Sequence, residues 1–109
     1  MLIKPFNVNT DKTRIIGVWN KVLKDINPGW AINEEEFDAA LAVEGDQTDL
    51  SRDCLIAEDN KGEINGFACL FKSSKRGSWW LNIKVLPPHF KSNLLVNLFE
   101  SILNVANKQ

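Results

Sequence analysis

At 109 residues the chain has room for a single domain with a modest core, and domains of this size bury a smaller share of their surface than larger ones. Hydrophobic residues make up 44% and charged residues 25%, an ordinary globular balance, and no apolar run approaches the roughly 20 residues that cross a membrane. Thirteen basic residues against fourteen acidic leave a net charge of −1, which argues against a nucleic-acid partner, since phosphate recognition rests on a basic face.

The opening Met1-Leu2-Ile3-Lys4-Pro5-Phe6 carries a charge and a proline where a secretory leader needs an apolar stretch, so a cytoplasmic location is expected. Residues 2–8 read as a short strand of edge character. Thr10 and Asp11 each offer an oxygen to cap a helix whose apolar face is Ile15, Ile16, Val18, Trp19, Val22 and Leu23, and Asn27-Pro28-Gly29 stops it. Asn33 caps a second helix, with Glu34 to Glu36 set against the positive end of its dipole and Phe37, Ala40 and Leu41 as its buried stripe. Residues 45–51 are polar and read as a loop.

A meander follows. Residues 53–58 form a strand, Asp59-Asn60-Lys61-Gly62 a turn, and residues 63–72 a longer strand containing Gly66. Residues 73–78 turn again, and the basic stretch from Lys72 to Arg76 reads as a solvated hairpin tip. The third strand of the meander runs from Trp79 to Leu86, with Trp79, Leu81, Ile83 and Val85 on one face and Trp80, Asn82 and Lys84 on the other. Pro87-Pro88 ends it. From Asn93 onward Leu94, Leu95, Leu98, Phe99, Ile102, Leu103 and Ala106 repeat at helical spacing, a strongly amphipathic last helix. The expected class is α+β, of three-layer type: β-α-α-β-β-β-α, with a mostly antiparallel sheet flanked by helices.

Cys54 and Cys69 fit no metal-ligand spacing, and His89 is the only histidine, so no metal site is expected. If Lys61-Gly62 is the two-residue loop of the hairpin, the cysteines face each other across the ladder. Reduced thiols packed as small apolar groups are the expectation, with a disulfide as the alternative. Glu58 and Asp59 end a strand where a catalytic base would be useful, although acids beside a hairpin turn are commonly just solvated. His89 follows two prolines and reads as a surface loop residue. Trp19 is assigned to the core and Trp30 to the turn between the helices. Of Trp79 and Trp80, one is expected in the core and the other on a ligand or over a sheet edge.

Ile3-Lys4-Pro5-Phe6 followed by Asp11, then Val18-Trp19-Asn20, resembles the opening of many Gcn5-related N-acetyltransferases. Glu35-Glu36-Phe37 fits the second helix of that family. Leu55-Ile56-Ala57-Glu58 and Gly62-Glu63-Ile64-Asn65-Gly66-Phe67 resemble its second and third strands, and Ile83-Lys84-Val85-Leu86-Pro87-Pro88-His89-Phe90 its fourth strand and the start of the coenzyme loop. The resemblance implies acetyl-CoA as cofactor and an amine as acceptor. It places the pantetheine arm and reacting carbonyl on the backbones of Ile83, Lys84 and Val85, the pyrophosphate near Lys91, Ser92, Asn93 and Leu94, and a proton acceptor at Glu58.

The family's loop has the form Arg/Gln-x-x-Gly-x-Gly/Ala, in which glycines let backbone amides approach the pyrophosphate at a helix N-terminus. Here the matching stretch is Phe90-Lys91-Ser92-Asn93-Leu94-Leu95, with Phe90, Asn93 and Leu95 at the signature positions. Asn93 tolerates left-handed angles; Leu95 crowds the first helical turn. The family also continues into a fifth strand, a fourth helix carrying a tyrosine general acid, and closing strands. This sequence ends at Gln109 and has no tyrosine. The expectation is therefore a single domain over residues 1–109, incomplete at its C-terminal side. It would be a truncated or degenerate acetyltransferase domain that is inactive alone, with a non-catalytic module for dimerisation or substrate binding, or an unrelated α+β binding domain, as alternatives. An uncovered edge strand from Trp79 to Leu86 would invite a homodimer.

Overall fold

The computed structural model describes every residue except Asp25 and Arg76, so the arginine of the basic turn lies outside the described residues. In chain order the elements are β1 (Leu2–Pro5), α1 (Lys12–Leu23), α2 (Glu34–Glu44), the one-turn α3 (Leu50–Asp53), β2 (Cys54–Glu58), β3 (Ile64–Lys72), β4 (Trp79–Val85) and α4 (Leu94–Asn107). Short 3₁₀ turns at Pro28–Trp30 and Pro87–His89 follow α1 and β4. The strands form one sheet in the order β1-β2-β3-β4, antiparallel throughout. Among the described residues no helix is long and apolar enough to cross a membrane.

The period-2 alternation of the strands divides the core into two clusters. Cys54, Ile56, Phe67, Cys69 and Phe71 pack with Ile15, Ile16 and Val18 of α1 and Phe37 of α2. Leu55, Ala57, Ala68, Leu70 and Val85 pack with Leu94, Leu98 and Ile102 of α4. The sheet is thus the middle of three layers. Helix α4 packs close at Gly66, where an added Cβ would lie 2.9 Å from the Lys84 carbonyl oxygen and 3.2 Å from Leu98.

Asn33 caps α2 as expected: its Oδ1 accepts the Glu36 amide at 2.8 Å while the Glu36 carboxylate accepts the Asn33 amide at 3.1 Å, a closed capping box. The stripe on α2 is narrower than the sequence suggests, for Phe37 is buried, Leu41 half-buried and Ala40 exposed. Helix α1 departs further. Neither Thr10 nor Asp11 caps it; the Asp11 carboxylate is buried, accepts the Asn7 amide at 2.8 Å and pairs with Arg14 at 2.8 Å. It secures the β1–α1 connection, a task that outweighs the cap.

Cys54 and Cys69 do stand opposite each other in the β2–β3 ladder, and both are buried free thiols. Cys69 alongside and burial push the Cys54 thiol up, away from nucleophilic use. Beyond Ala57 the register slips by one residue, so the hairpin closes with a bulge rather than a regular ladder.

Two expectations fail at the other end of these strands. Residues 45–51 are not all loop, since Asp49 caps the one-turn α3 by accepting the Ser51 amide at 3.0 Å. Asp53 closes that turn instead of opening β2. Lys72 is no part of a solvated tip: it is buried, with its ammonium 2.8 Å from Asp53, because the strand continues under α4 and needs a counter-charge there. Arg52 at 3.2 Å, the Asp49 amide at 2.9 Å and the Gln109 amide at 2.8 Å complete the shell around the fully buried Asp53 carboxylate.

Burial alone would raise the Asp53 pKa, but the hydrogen bonds from Arg52, Lys72, the Asp49 amide and Gln109 outweigh it and hold it at about 2. A folded value of about 2 below the ordinary 3.8 means the contribution is complete above that ordinary value and is lost as pH falls towards 2. Its size is about 2 kcal/mol. Urea unfolding followed from pH 6 downward is expected to show this loss, and Asp53→Ala, which strands Lys72, is expected to cost about 3 kcal/mol at neutral pH.

Candidate coenzyme-cleft region

The segment that the sequence marks for a coenzyme runs from the end of β4 to the first turn of α4. Its strand half has a definite polarity. The Leu86 amide donates to the Asn65 carbonyl at 2.9 Å, continuing the β3–β4 register. Antiparallel ladders bond every second residue on a given side. Trp80, Asn82 and Lys84 therefore direct their peptide groups to β3, whereas Leu81, Ile83 and Val85 direct theirs to the open edge. Of the three backbones expected to meet a pantetheine arm, those of Ile83 and Val85 face outward and that of Lys84 does not.

The Lys84 side chain is likewise engaged. Its ammonium lies 4.6 Å from the centroid of the Trp19 ring and donates to Asn82 Oδ1 at 2.9 Å. Burial lowers its pKa. Trp19 in turn stacks on Phe67 at 6.1 Å and meets Phe37 edge-on at 6.4 Å, so it is a half-buried core residue as assigned. Trp79 and Trp80 both stay substantially exposed, and neither enters the core. Trp80 stacks on Phe71 at 4.6 Å, and Trp79 receives the Lys72 ammonium at 5.2 Å. Trp30 occupies the turn between α1 and α2.

The loop half is closed on itself. The His89 amide donates to Leu86 at 2.8 Å, that of Phe90 to Pro87 at 3.1 Å and that of Ser92 to His89 at 3.1 Å. The Ser92 hydroxyl donates to the His89 carbonyl at 3.0 Å and accepts the Leu94 amide at 3.2 Å. Asn93 sits at φ −74°, ψ −3°, a right-handed conformation, and no described residue other than glycine has positive φ. A pyrophosphate cradle needs free amides converging on one point. Four amides of this loop, those of His89, Phe90, Ser92 and Leu94, are bonded to the chain, and Leu95 adds an exposed side chain in the first turn. Lys91 is exposed. His89 Nε2 lies 3.2 Å from Asn65 Oδ1, half-buried at the β3–β4 corner.

Glu58 is placed elsewhere. Its carboxylate accepts from Lys4 at 3.0 Å and from Arg14 at 3.1 Å, and these bonds, Lys4 first, hold its pKa below the ordinary carboxylate value. A general base is most effective when its pKa is tuned towards the working pH, and this shift runs the other way. Arg14 also reaches the Gly62 carbonyl and Asp11, tying α1 to β2 and to the turn that follows it. Sequence inspection does not single out Arg14, because its partners lie far apart along the chain. A cavity of about 360 Å³ beside it is lined by Arg14, Gly17, Lys21, Ile64 and Leu86 among others, and one of about 310 Å³ by Lys21, Lys24, Leu86, Pro87 and Pro88. Among the described residues no group of three or more His, Cys, Asp or Glu could hold a metal ion.

The chain matches no protein-family model and no curated protein sequence. Its three-dimensional form is another matter. It superposes on a Gcn5-related N-acetyltransferase of Sphaerobacter thermophilus with a TM-score of 0.74 at 15% identity, over 98% of this chain and 32% of that one. The fold is that of the Gcn5-related N-acetyltransferases. A ribosomal-protein-alanine N-acetyltransferase of Brucella melitensis gives a TM-score of 0.70 at 15% identity, over 99% of this chain and 68% of its own. N-acetylglutamate synthase of Neisseria gonorrhoeae, solved with coenzyme A and N-acetylglutamate, gives 0.67 at 16% identity, over 98% of this chain and 22% of that one. The chain thus spans about two thirds of the Brucella protein and far less of the other two. At these identities the likeness is one of acetyltransferase fold, which the element order and the layers on each side of the sheet share.

Because Ser92 closes the first turn of α4, Ser92→Ala is expected to lower stability by about 1 kcal/mol, whereas Ser92→Asp, which accepts the same amide bond, is expected to be tolerated. Thermal unfolding of the two variants side by side tests this.

Proposed function

We propose that this chain is an acetyltransferase-like domain whose coenzyme loop has been given over to structure, and that by itself it transfers no acetyl group. The observation that carries this reading is the closed turn between β4 and α4. The amides of His89, Phe90, Ser92 and Leu94 are bonded to the chain's own oxygens, and the position of the family's first glycine holds a right-handed Asn93. Opening that turn to admit a pyrophosphate would cost several hydrogen bonds of about 1 kcal/mol each before any were regained. The residues present do not fit the diphosphate of acetyl-CoA. Glu58, the candidate base, supports the same reading, since two cations hold it ionised as a structural partner.

A second reading is favoured by one observation, the outward-facing peptide groups of Ile83 and Val85. They remain available to an amide-bearing arm of the kind coenzyme A carries, and the Neisseria synthase was solved with coenzyme A. In that case Lys91 would meet a phosphate, and the domain would pass an acetyl group to an amine.

Calorimetric titration of the chain with acetyl-CoA, with free CoA alongside, separates the two. No saturable heat up to millimolar coenzyme is the expected result. Saturable binding that weakens when Ser92 and Asn93 are replaced by bulky residues would overturn the proposal in favour of the enzyme reading.

A further inference from the structure

Cys54 and Cys69 are the only cysteines of the sequence, and the ladder sets them directly opposite each other. The hydrogen-bond phase decides what kind of opposition this is. The Cys54 carbonyl accepts the Phe6 amide at 2.9 Å, so the peptide groups of Cys54 face β1. Those of Asn82 face β3, and Asn82 is the partner of Cys69, so the peptide groups of Cys69 face β4. The two cysteines therefore exchange no peptide hydrogen bonds with each other. They form a non-hydrogen-bonded pair, in which Cα atoms stand about 4.5 Å apart and side chains come closest. A disulfide needs Cα atoms between about 4.4 and 6.8 Å apart and Cβ atoms that do not diverge. Both conditions are met, since the two side chains enter the same core cluster beside α1, and the bulge beyond Ala57 lies clear of them.

Volume alone does not call for two thiols here. On the α4 face of the same strands the small positions are filled by Ala57 and Ala68. The thiols of Cys54 and Cys69 are hydrogen-bonded to each other, and the residues are 0% and 1% exposed, so no solute reaches them in the closed sheet. We propose that Cys54 and Cys69 are a redox latch, joined by a disulfide when β2 and β3 part briefly in the presence of a small-molecule disulfide of the glutathione type. One thiolate attacks the oxidant and releases one glutathione, leaving a mixed disulfide on the chain. The second thiolate attacks that bond, forms the Cys54–Cys69 disulfide and releases the second glutathione. The pair loses two electrons and two protons, and the two glutathione thiols carry them away. The mixed intermediate bears a tripeptide that a filled core cannot hold, so closure of the sheet favours the second step.

The burial that slows formation also protects the product. A reductant reaches the joined sulfurs only through the same opening of β2 from β3, and the disulfide makes that opening rarer. The oxidised state thus outlasts the oxidant. The bond closes a loop of about 15 residues between the two strands that carry both core clusters, which restricts the unfolded chain far more than the folded one.

Incubation of the reduced 109-residue chain with millimolar glutathione disulfide, with and without urea below the unfolding transition, tests the proposal. Acid quenching and mass spectrometry are expected to show a single chain lighter by two hydrogens, with the link mapped to Cys54 and Cys69. Urea should speed its formation by about tenfold or more, because opening of the sheet governs access. Once the oxidant is removed, the thermal unfolding midpoint should lie about 10 °C above that of the reduced chain. Cys54→Ala and Cys69→Ala, singly, should show no such oxidant-dependent rise, whatever their own stability. Thiols that stay reduced even in urea overturn the proposal, as do products that are only mixed disulfides or linked dimers. So does a Cys54–Cys69 bond that leaves the midpoint unchanged or lowers it, or one that forms as fast without urea as with it. These readings come from the unmodified chain, so they stand even if neither alanine variant folds.

Discussion

Strand β3 is buried on both faces, and the two faces make opposite demands on it. Towards α1 and α2 it must fill space, and it does so with Phe67, Cys69 and Phe71, the first of which stacks beneath Trp19. Towards α4 it must yield space, and it does so with Gly66 and Ala68, where the helix presses Leu98 against the backbone. Interiors packed to crystal-like density tolerate little change at such a strand. At the end of β3 the same burial leaves an ammonium under α4, and the Asp53 network is the consequence. The helix layers and the position of β4 follow from this strand.

The polar groups at the β4–α4 corner divide into those spent and those left over. The loop has used the amides of His89, Phe90, Ser92 and Leu94 on itself, and the strand has kept its outward peptide groups unused. An acetyltransferase cleft requires both to be available to a coenzyme, one set for the diphosphate and the other for the arm. Fold and site depend on different residues. Phe90, Asn93 and Leu95 are exposed at the β4–α4 corner and are not residues that the core needs.

Much of the architecture was legible beforehand. The seven principal elements, the two faces of β4, the opposition of Cys54 and Cys69 and the Asn33 cap each rest on spacing within a few residues, or on a turn length that sets a register. The one-turn α3 was illegible because four residues show no periodicity, even though Asp49 is an ordinary cap. Asp11 was misread because a buried carboxylate serving the preceding turn looks, in sequence, the same as a capping one. Lys72 was misread because a lysine next to a turn is usually solvated, and only α4, arriving from the far end of the chain, buries it.

By its own periodicities the sequence determined which segments are helix or strand and which side chains share a face. Those properties are local, and the 2.0 and 3.6 repeats carry them. Tertiary structure alone decided which charges are paired, for Arg14 and Glu58 stand 44 residues apart and Gln109 and Asp53 stand 56 apart. It also decided which peptide groups of β4 face outward, because that phase depends on which residues of β3 the strand meets. Composition cannot register either, since hydrogen bonds are assigned by distance and direction in three dimensions.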